Sequence, residues 1–164
     1  QYDWLAQTLA AASTPYIFVG IHHLVGGREP DARGGVEASS FFEWGGANAD
    51  GTPGFATQRP GWPKPIHELL VQYGVTAVLH GHDHLYVRQV RDGVTYLEVP
   101  QPGFAREGST RSAADYGYTT GTLLGSPGFV RLTIGPTGAD LVLRRTPAPG
   151  MSADSVRLAP RRMP

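Results

Sequence analysis

Two groups of histidines stand where apolar segments of this chain end. Gly81-His82-Asp83-His84 follows the apolar run 75–79, and His22-His23 closes the apolar run 16–21. Neutral imidazole is the commonest protein ligand for transition metals. Because two buried strands that each end in histidine can present these side chains at one edge of a sheet, the pattern predicts a metal site there.

The spacing within Gly81-His82-Asp83-His84 places its side chains on two sides of the chain. In an extended chain, side chains alternate, so His82 and His84 share one side while Asp83 faces the other. Asp83 is then either a carboxylate that orients a ligand imidazole or a surface residue. His80 is expected within the strand or the core. The metallo-β-lactamase pattern His-x-His-x-Asp-His is excluded, since positions 84 and 85 are His and Leu.

Composition narrows the class of protein. Lys and Arg together number 14, as do Asp and Glu, so the net charge is zero and no nucleic-acid partner is expected. The chain has no cysteine, which excludes disulfides, thiolate metal sites and cysteine nucleophiles. No apolar stretch approaches the ~20 residues that span a bilayer. A chain of 164 residues suffices for one domain with its own core.

A helix followed by a strand is predicted twice. The first unit is a helix over 2–12 and a strand over 16–21 that is covered on both faces. The second is a helix over 65–73, whose apolar residues recur at helical spacing, and a strand over 75–80. Two such units predict an α/β fold with parallel or mixed strands.

The rest of the chain has a different character. Asp-Gly and Gly-Pro-Thr-Gly turns predict two hairpins. Their strands are 86–90 with 94–99, and 129–134 with 139–145. We expect long connections at 24–64 and 103–128, the latter a surface loop, and an irregular, proline-rich tail over 146–164.

These residues and their order resemble the calcineurin-like metallophosphoesterase superfamily. Its last motif, Gly-His-x-His, is matched by Gly81 to His84, and its preceding strand-terminal histidine by His22. The opening Gln1 to Leu5 is similar to a Gln-x-x-Trp-Leu helix found upstream of that strand. The resemblance covers residues 1–100. It implies a layered α/β/β/α sandwich, of which residues 1–145 form the C-terminal part.

The resemblance also implies an activity and its cofactors. Members bind two metal ions bridged by an aspartate, and a metal-bound hydroxide attacks the phosphorus of a phosphoester. By motif position, His22 and His82 bind one metal and His84 binds the other. His23 is expected to contact the substrate or support a ligand. The ligand types suit Zn²⁺, Fe or Mn²⁺ without choosing among them.

Part of the family pattern is missing from the sequence. Asp-x-His, Gly-Asp and Asn-His, which belong to the first half of the family domain, do not occur in these 164 residues. We therefore expect the missing N-terminal half of the domain as a partner and little activity from this chain alone. An exported location is favoured by the resemblance. The alternative is a non-catalytic metal- or ligand-binding module.

Two further expectations concern side chains outside the motifs. The 24–64 connection carries cationic and aromatic residues that either form a lid for the organic part of a phosphoester or cluster among themselves on the surface. They are Arg28, Arg33, Arg59, Phe41, Phe42, Trp44 and Trp62. His67, on the second predicted helix, is expected to be an ordinary surface histidine.

Overall fold

The computed structural model describes residues 1–24, 33–103, 108–146 and 148–161. Its helices are α1 (Tyr2–Ala11), α2 (Phe42–Gly45), α3 (Phe55–Gln58), α4 (Ile66–Gln72) and α5 (Ser112–Asp115), with a 3₁₀ turn at Ala38–Ser40. Its strands are β1 (Phe18–Gly20), β2 (Ala77–His80), β3 (Leu85–Arg91), β4 (Val94–Glu98), β5 (Thr122–Gly125), β6 (Gly128–Gly135), β7 (Gly138–Arg145) and β8 (Ala148–Leu158). Within these ranges, no helix is long and apolar enough to cross a membrane.

The first sheet is mixed and has five strands in the order β1-β2-β4-β3-β5. β1, β2 and β4 run parallel, whereas β3 is antiparallel to both β4 and β5. The prediction of an α/β fold with parallel or mixed strands is therefore confirmed. The strand expected over 16–21 is shorter than predicted, since regular pairing with β2 begins at Phe18.

Apolar side chains pack against this sheet in two clusters. One joins α1 and α4 to β1, β2 and β4, with Leu9, Leu70 and Val78 among its buried members. The other combines side chains of both sheets, including Tyr86 and Leu97 of the first and Leu141 of the second. Val19 packs against the first cluster and Phe18 against the second, so β1 is covered on both faces, as predicted.

The end of the chain corrects one prediction. The tail expected to be irregular over 146–164 contains β8, which pairs antiparallel with β7 in a three-stranded sheet with β6. Alternation explains this, because Val156 and Leu158 pack against the core between polar neighbours. The expected surface loop over 103–128 is also partly wrong, since it contains α5 and β5.

His67 is a second correction. Only 4% of this residue is exposed, although a surface position was expected. Its Nδ1 lies 2.7 Å from the Tyr96 hydroxyl, and its Nε2 lies 2.8 Å from Oδ2 of Asp92. Burial is tolerated because both ring nitrogens have partners.

Candidate metal centre

Parallel pairing brings the two histidine segments to the same edge of the sheet. Gly20 of β1 lies opposite Leu79 of β2. Just beyond the strands, the Gly81 amide donates to the His22 carbonyl at 2.7 Å. The segments carrying His22-His23 and His82 therefore leave the sheet side by side.

Three imidazoles converge at this edge. One ring nitrogen from each of His22, His23 and His82 lies within 4.8 Å of the other two. His22 Nε2 and His82 Nδ1 are 3.0 Å apart. Ring centroids are separated by 5.1 to 5.3 Å. In the part of the chain that the structure describes, these residues form the one group of three or more metal-type ligands.

The environment of His23 suits a metal ligand. Its Nδ1 is buried and has no hydrogen-bond partner among the described residues. Burial lowers the pKa of His23, and the neighbouring His82 and His22 rings lower it further. A neutral ring with an unpartnered nitrogen is the form in which imidazole binds a metal. The donor set therefore fits a borderline divalent ion.

The loop that carries His82 has an unusual backbone. His82 has a φ of +99° and His84 a φ of +56°, a region that non-glycine residues seldom occupy. Such conformations persist when the surroundings hold them. Here the Asp83 amide donates to Oε1 of Glu98 at 2.9 Å. Glu98 is fully buried at the end of β4 and anchors the loop.

Asp83 forms the other anchor. Its carboxylate is buried and accepts hydrogen bonds from Arg33 Nη1 at 2.6 Å and from the Tyr118 hydroxyl at 2.9 Å. Burial raises the pKa of Tyr118, and the negative charges of Glu98 and Asp83 raise it further, so the phenol remains a donor. Of the two expected roles, surface residue and support for an imidazole, the structure excludes the surface position.

The other two histidines of this region lie apart from the three rings. His84 is exposed, falls outside the converging group, and its carbonyl accepts a hydrogen bond from Ser126 Oγ. His80 is 2% exposed, which agrees with the expected core position. Its Nδ1 lies 2.8 Å from Oε2 of Glu98, a close polar contact that lacks the alignment of a hydrogen bond.

Sequence reasoning missed Glu98 and Tyr118. One signal for Glu98 was present, because a carboxylate closing the run Val94–Glu98 must find a partner if the strand is buried. The register supplies His80 directly opposite it. Tyr118 lies in a Gly- and Thr-rich segment without periodicity, and no local pattern pointed to it.

A cleft of about 830 Å³ runs beside β1, and its lining reaches Ile21, the residue before His22. Trp44, Arg59 and Trp62 of the expected lid line it, and the Trp62 ring stacks on Tyr2 with centroids 4.0 Å apart. Arg33 instead binds Asp83. Arg28 lies outside the described residues.

Comparison with known proteins supports the fold. No family model matches the sequence, and no curated protein matches it. The structure is similar to that of a purple acid phosphatase from yellow lupin (Lupinus luteus) seeds, with a TM-score of 0.56 and 16% identity. The match covers 97% of this chain and 28% of the phosphatase chain. At this identity the likeness shows a similar fold and nothing further.

Proposed function

We propose that this chain is part of a metal-dependent phosphoester hydrolase. One observation carries the proposal: His22, His23 and His82 converge at one edge of the sheet in a fold similar to that of a purple acid phosphatase. The likeness in fold supports the reaction class, and the donor set supports the need for a metal.

The residues of this chain have separate tasks in this scheme. His22 and His82 hold one metal ion, and His84 on the same loop serves a second ion. The second ion needs further ligands from additional polypeptide, such as the N-terminal half of a layered α/β/β/α domain. We propose Zn²⁺, Fe or Mn²⁺ as the ions. When bound, the metal supplies positive charge that stabilises the developing negative charge on the phosphoryl group.

The cleft beside β1 gives the organic part of the ester a place to bind. Its aromatic walls offer flat apolar surface, and its edge reaches the residue before His22. Arg59 pairs with Glu43 and lies over the Trp62 ring at 5.7 Å from its centroid. We propose that this cleft, rather than the metal ligands, sets the preference among esters.

The test uses the protein lengthened by its upstream polypeptide. We expect hydrolysis of an aryl phosphate that a chelator abolishes and added Zn²⁺ or Mn²⁺ restores. We also expect His22→Gln to reduce turnover strongly. Binding of a single ion without turnover would favour the non-catalytic module, and robust hydrolysis by residues 1–164 alone would refute the need for further polypeptide.

A further inference from the structure

We propose that His22, His23 and His82 together bind one divalent transition-metal ion, with His23 as a direct ligand, and that the 164-residue chain does so unaided. This inference rests on the proposed function in that it concerns the same site. It differs in the role of His23, which the sequence indicated as a contact to substrate or a support for a ligand.

Distances between the ring nitrogens fit coordination of one ion. With metal–nitrogen bonds of about 2.0–2.1 Å, two ligand nitrogens are about 3.3 Å apart in tetrahedral geometry and about 2.9 Å apart at adjacent octahedral positions. The separation of 3.0 Å between His22 Nε2 and His82 Nδ1 falls in this range. The three ligand nitrogens lie within 4.8 Å of one another, so small side-chain rotations bring His23 to the same ion.

The unpartnered nitrogen of His23 favours direct ligation. Leaving a buried polar atom without a partner costs about 1–3 kcal/mol, so native structures seldom keep one. His23 Nδ1 is such an atom, and the two side chains beside its ring are the other members of the cluster. An ion shared with His22 and His82 supplies the missing partner.

The site is held in place by side chains that do not bind the ion. Glu98 and Asp83 fix the loop in which His82 has a φ of +99°. β1 fixes His22 and His23 through its pairing with β2. Because these supports are present in this chain, the ligands are preorganised without further polypeptide.

The composition of the site selects the ion. Three imidazoles favour Zn²⁺, Co²⁺, Ni²⁺ or Cu²⁺ over Mg²⁺ and Ca²⁺, which prefer oxygen ligands. Three protein ligands also leave a coordination position open, the arrangement of catalytic rather than structural zinc sites. His84 lies outside the group, so the chain alone binds one ion.

The experiment is a titration of the metal-free 164-residue chain with Zn²⁺ by calorimetry, and with Co²⁺ followed by visible absorption. We expect one ion per chain. His23→Gln should lower the affinity by more than about 100-fold, because losing a residue that merely supports a ligand costs about 10–100-fold. Asp140→Asn, which alters a carboxylate of the second sheet outside the three-histidine group, should leave the affinity for this ion unchanged.

Thermal unfolding of each variant without metal separates ligation from folding. His23→Gln should still fold and unfold cooperatively without metal, while its stabilisation by Zn²⁺ should fall by the amount that the loss of affinity sets. Failure of the parent chain to bind Zn²⁺, a loss for His23→Gln within about 100-fold, or an equal loss for Asp140→Asn would overturn the assignment.

The outcomes also separate this inference from the proposed hydrolase. One bound ion in the chain together with no hydrolysis by the lengthened protein would refute the hydrolase and leave the three-histidine site. Metal-dependent hydrolysis together with an unchanged metal affinity of the His23→Gln variant would support the hydrolase and refute His23 as a ligand.

Discussion

At the scale of single residues, Glu98 supports the histidine loop without lying in it. It has no exposed surface, its Oε1 accepts from the Asp83 amide at 2.9 Å, and its Oε2 lies 2.8 Å from Nδ1 of His80. A carboxylate removed from water needs such partners. The same side chain therefore joins the end of β4 to the end of β2 and to the loop that follows.

Glu98→Ala should destabilise the protein by about 1–3 kcal/mol for each buried group that loses its partner. The substitution leaves both His80 and the Asp83 amide without a partner. Urea unfolding measures the effect. The matched variant Glu98→Gln keeps an oxygen that accepts from the Asp83 amide, and it should lose less. Equal losses for the two variants would show that the hydrogen bond to the Asp83 amide does not hold the loop.

The sequence predicted where the histidines lie, but it did not predict the residues that hold their loop in place. The histidines were placed at strand ends because apolar runs precede them, and the structure puts them there. The supporting residues are distant in sequence from the groups that they hold. Glu98 is 14 positions from His84, and Tyr118 is further away. Arg33 is 50 positions from Asp83, the residue that it binds. Short patterns carry no record of such contacts.

At the scale of elements, the β3–β4 hairpin was predicted from Asp-Gly and is confirmed. Asp92 and Gly93 have φ values of +48° and +81°, which match the two central positions of a tight hairpin turn. Glycine adopts this conformation without steric cost.

Gly93→Ala should destabilise the protein by about 1–2 kcal/mol through backbone strain alone. A Cβ at this position meets no atom within 4 Å, so crowding does not contribute. Gly61→Ala is the control, because its Cβ is equally free and its φ lies outside the positive range. Chemical denaturation compares the two variants. A loss for Gly61→Ala as large as that for Gly93→Ala would rule out strain as the cause.

A buried hydrogen-bond chain connects α2, α4 and the hairpin. The Trp44 indole donates to the Tyr96 hydroxyl at 2.8 Å, and the same oxygen lies 2.7 Å from His67 Nδ1. His67 was expected at the surface because helical spacing marks apolar residues only. Its true position depends on Tyr96 and Asp92, which lie 29 and 25 residues further along the chain.

Tyr96→Phe should cost about 1–3 kcal/mol for each buried group that loses its partner, Trp44 and His67. Tyr2→Phe is a suitable comparison, since the Tyr2 hydroxyl makes one hydrogen bond, to the Lys64 carbonyl at 2.8 Å. It should cost about 1 kcal/mol. Thermal unfolding of both variants measures the difference. A smaller loss for Tyr96→Phe than for Tyr2→Phe would contradict a cooperative network.

At the scale of the whole molecule, an ion pair contributes to the contact between the two sheets. Arg88 of β3 contacts Asp154 of β8 through two nitrogens, at 2.7 and 3.2 Å, and the Tyr86 hydroxyl donates to the same carboxylate at 2.6 Å. Burial alone would raise the pKa of Asp154. The hydrogen bonds from Arg88 and Tyr86 outweigh it, and the pKa is lowered from 3.8.

Acid should therefore loosen the contact between the sheets. A carboxyl group whose pKa is lowered by folding stabilises the folded state above its unfolded pKa of 3.8, and this stability is lost as the pH falls through the lower folded value. Asp154→Asn should remove about 1.5–3 kcal/mol at neutral pH and flatten the acid limb of the stability profile. Unfolding free energies measured across this range test it, and an unchanged acid limb would exclude Asp154 as a cause.

The α/β fold could be predicted from the sequence because segments with the apolar pattern of a helix alternate with apolar runs typical of strands in its first 100 residues. The second sheet could be predicted from the sequence only in part. β6 and β7 have a recognisable turn between them, whereas one proline precedes β8, another is its second residue, and polar residues follow. Its assignment as a strand depends on pairing with β7, which a local pattern does not record.

The parallel pairing of β1 with β2 has a kinetic consequence. His22 and His82 are 60 positions apart and meet only after the intervening chain has closed into a loop. Closing this loop costs entropy before its contacts stabilise the chain, so we expect these contacts to form after the transition state for folding. A Zn²⁺ ion bound to the three rings should then slow unfolding in proportion to its concentration and leave the refolding rate unchanged. Stopped-flow kinetics would show a displaced unfolding limb and a refolding limb that coincides with that of the metal-free chain.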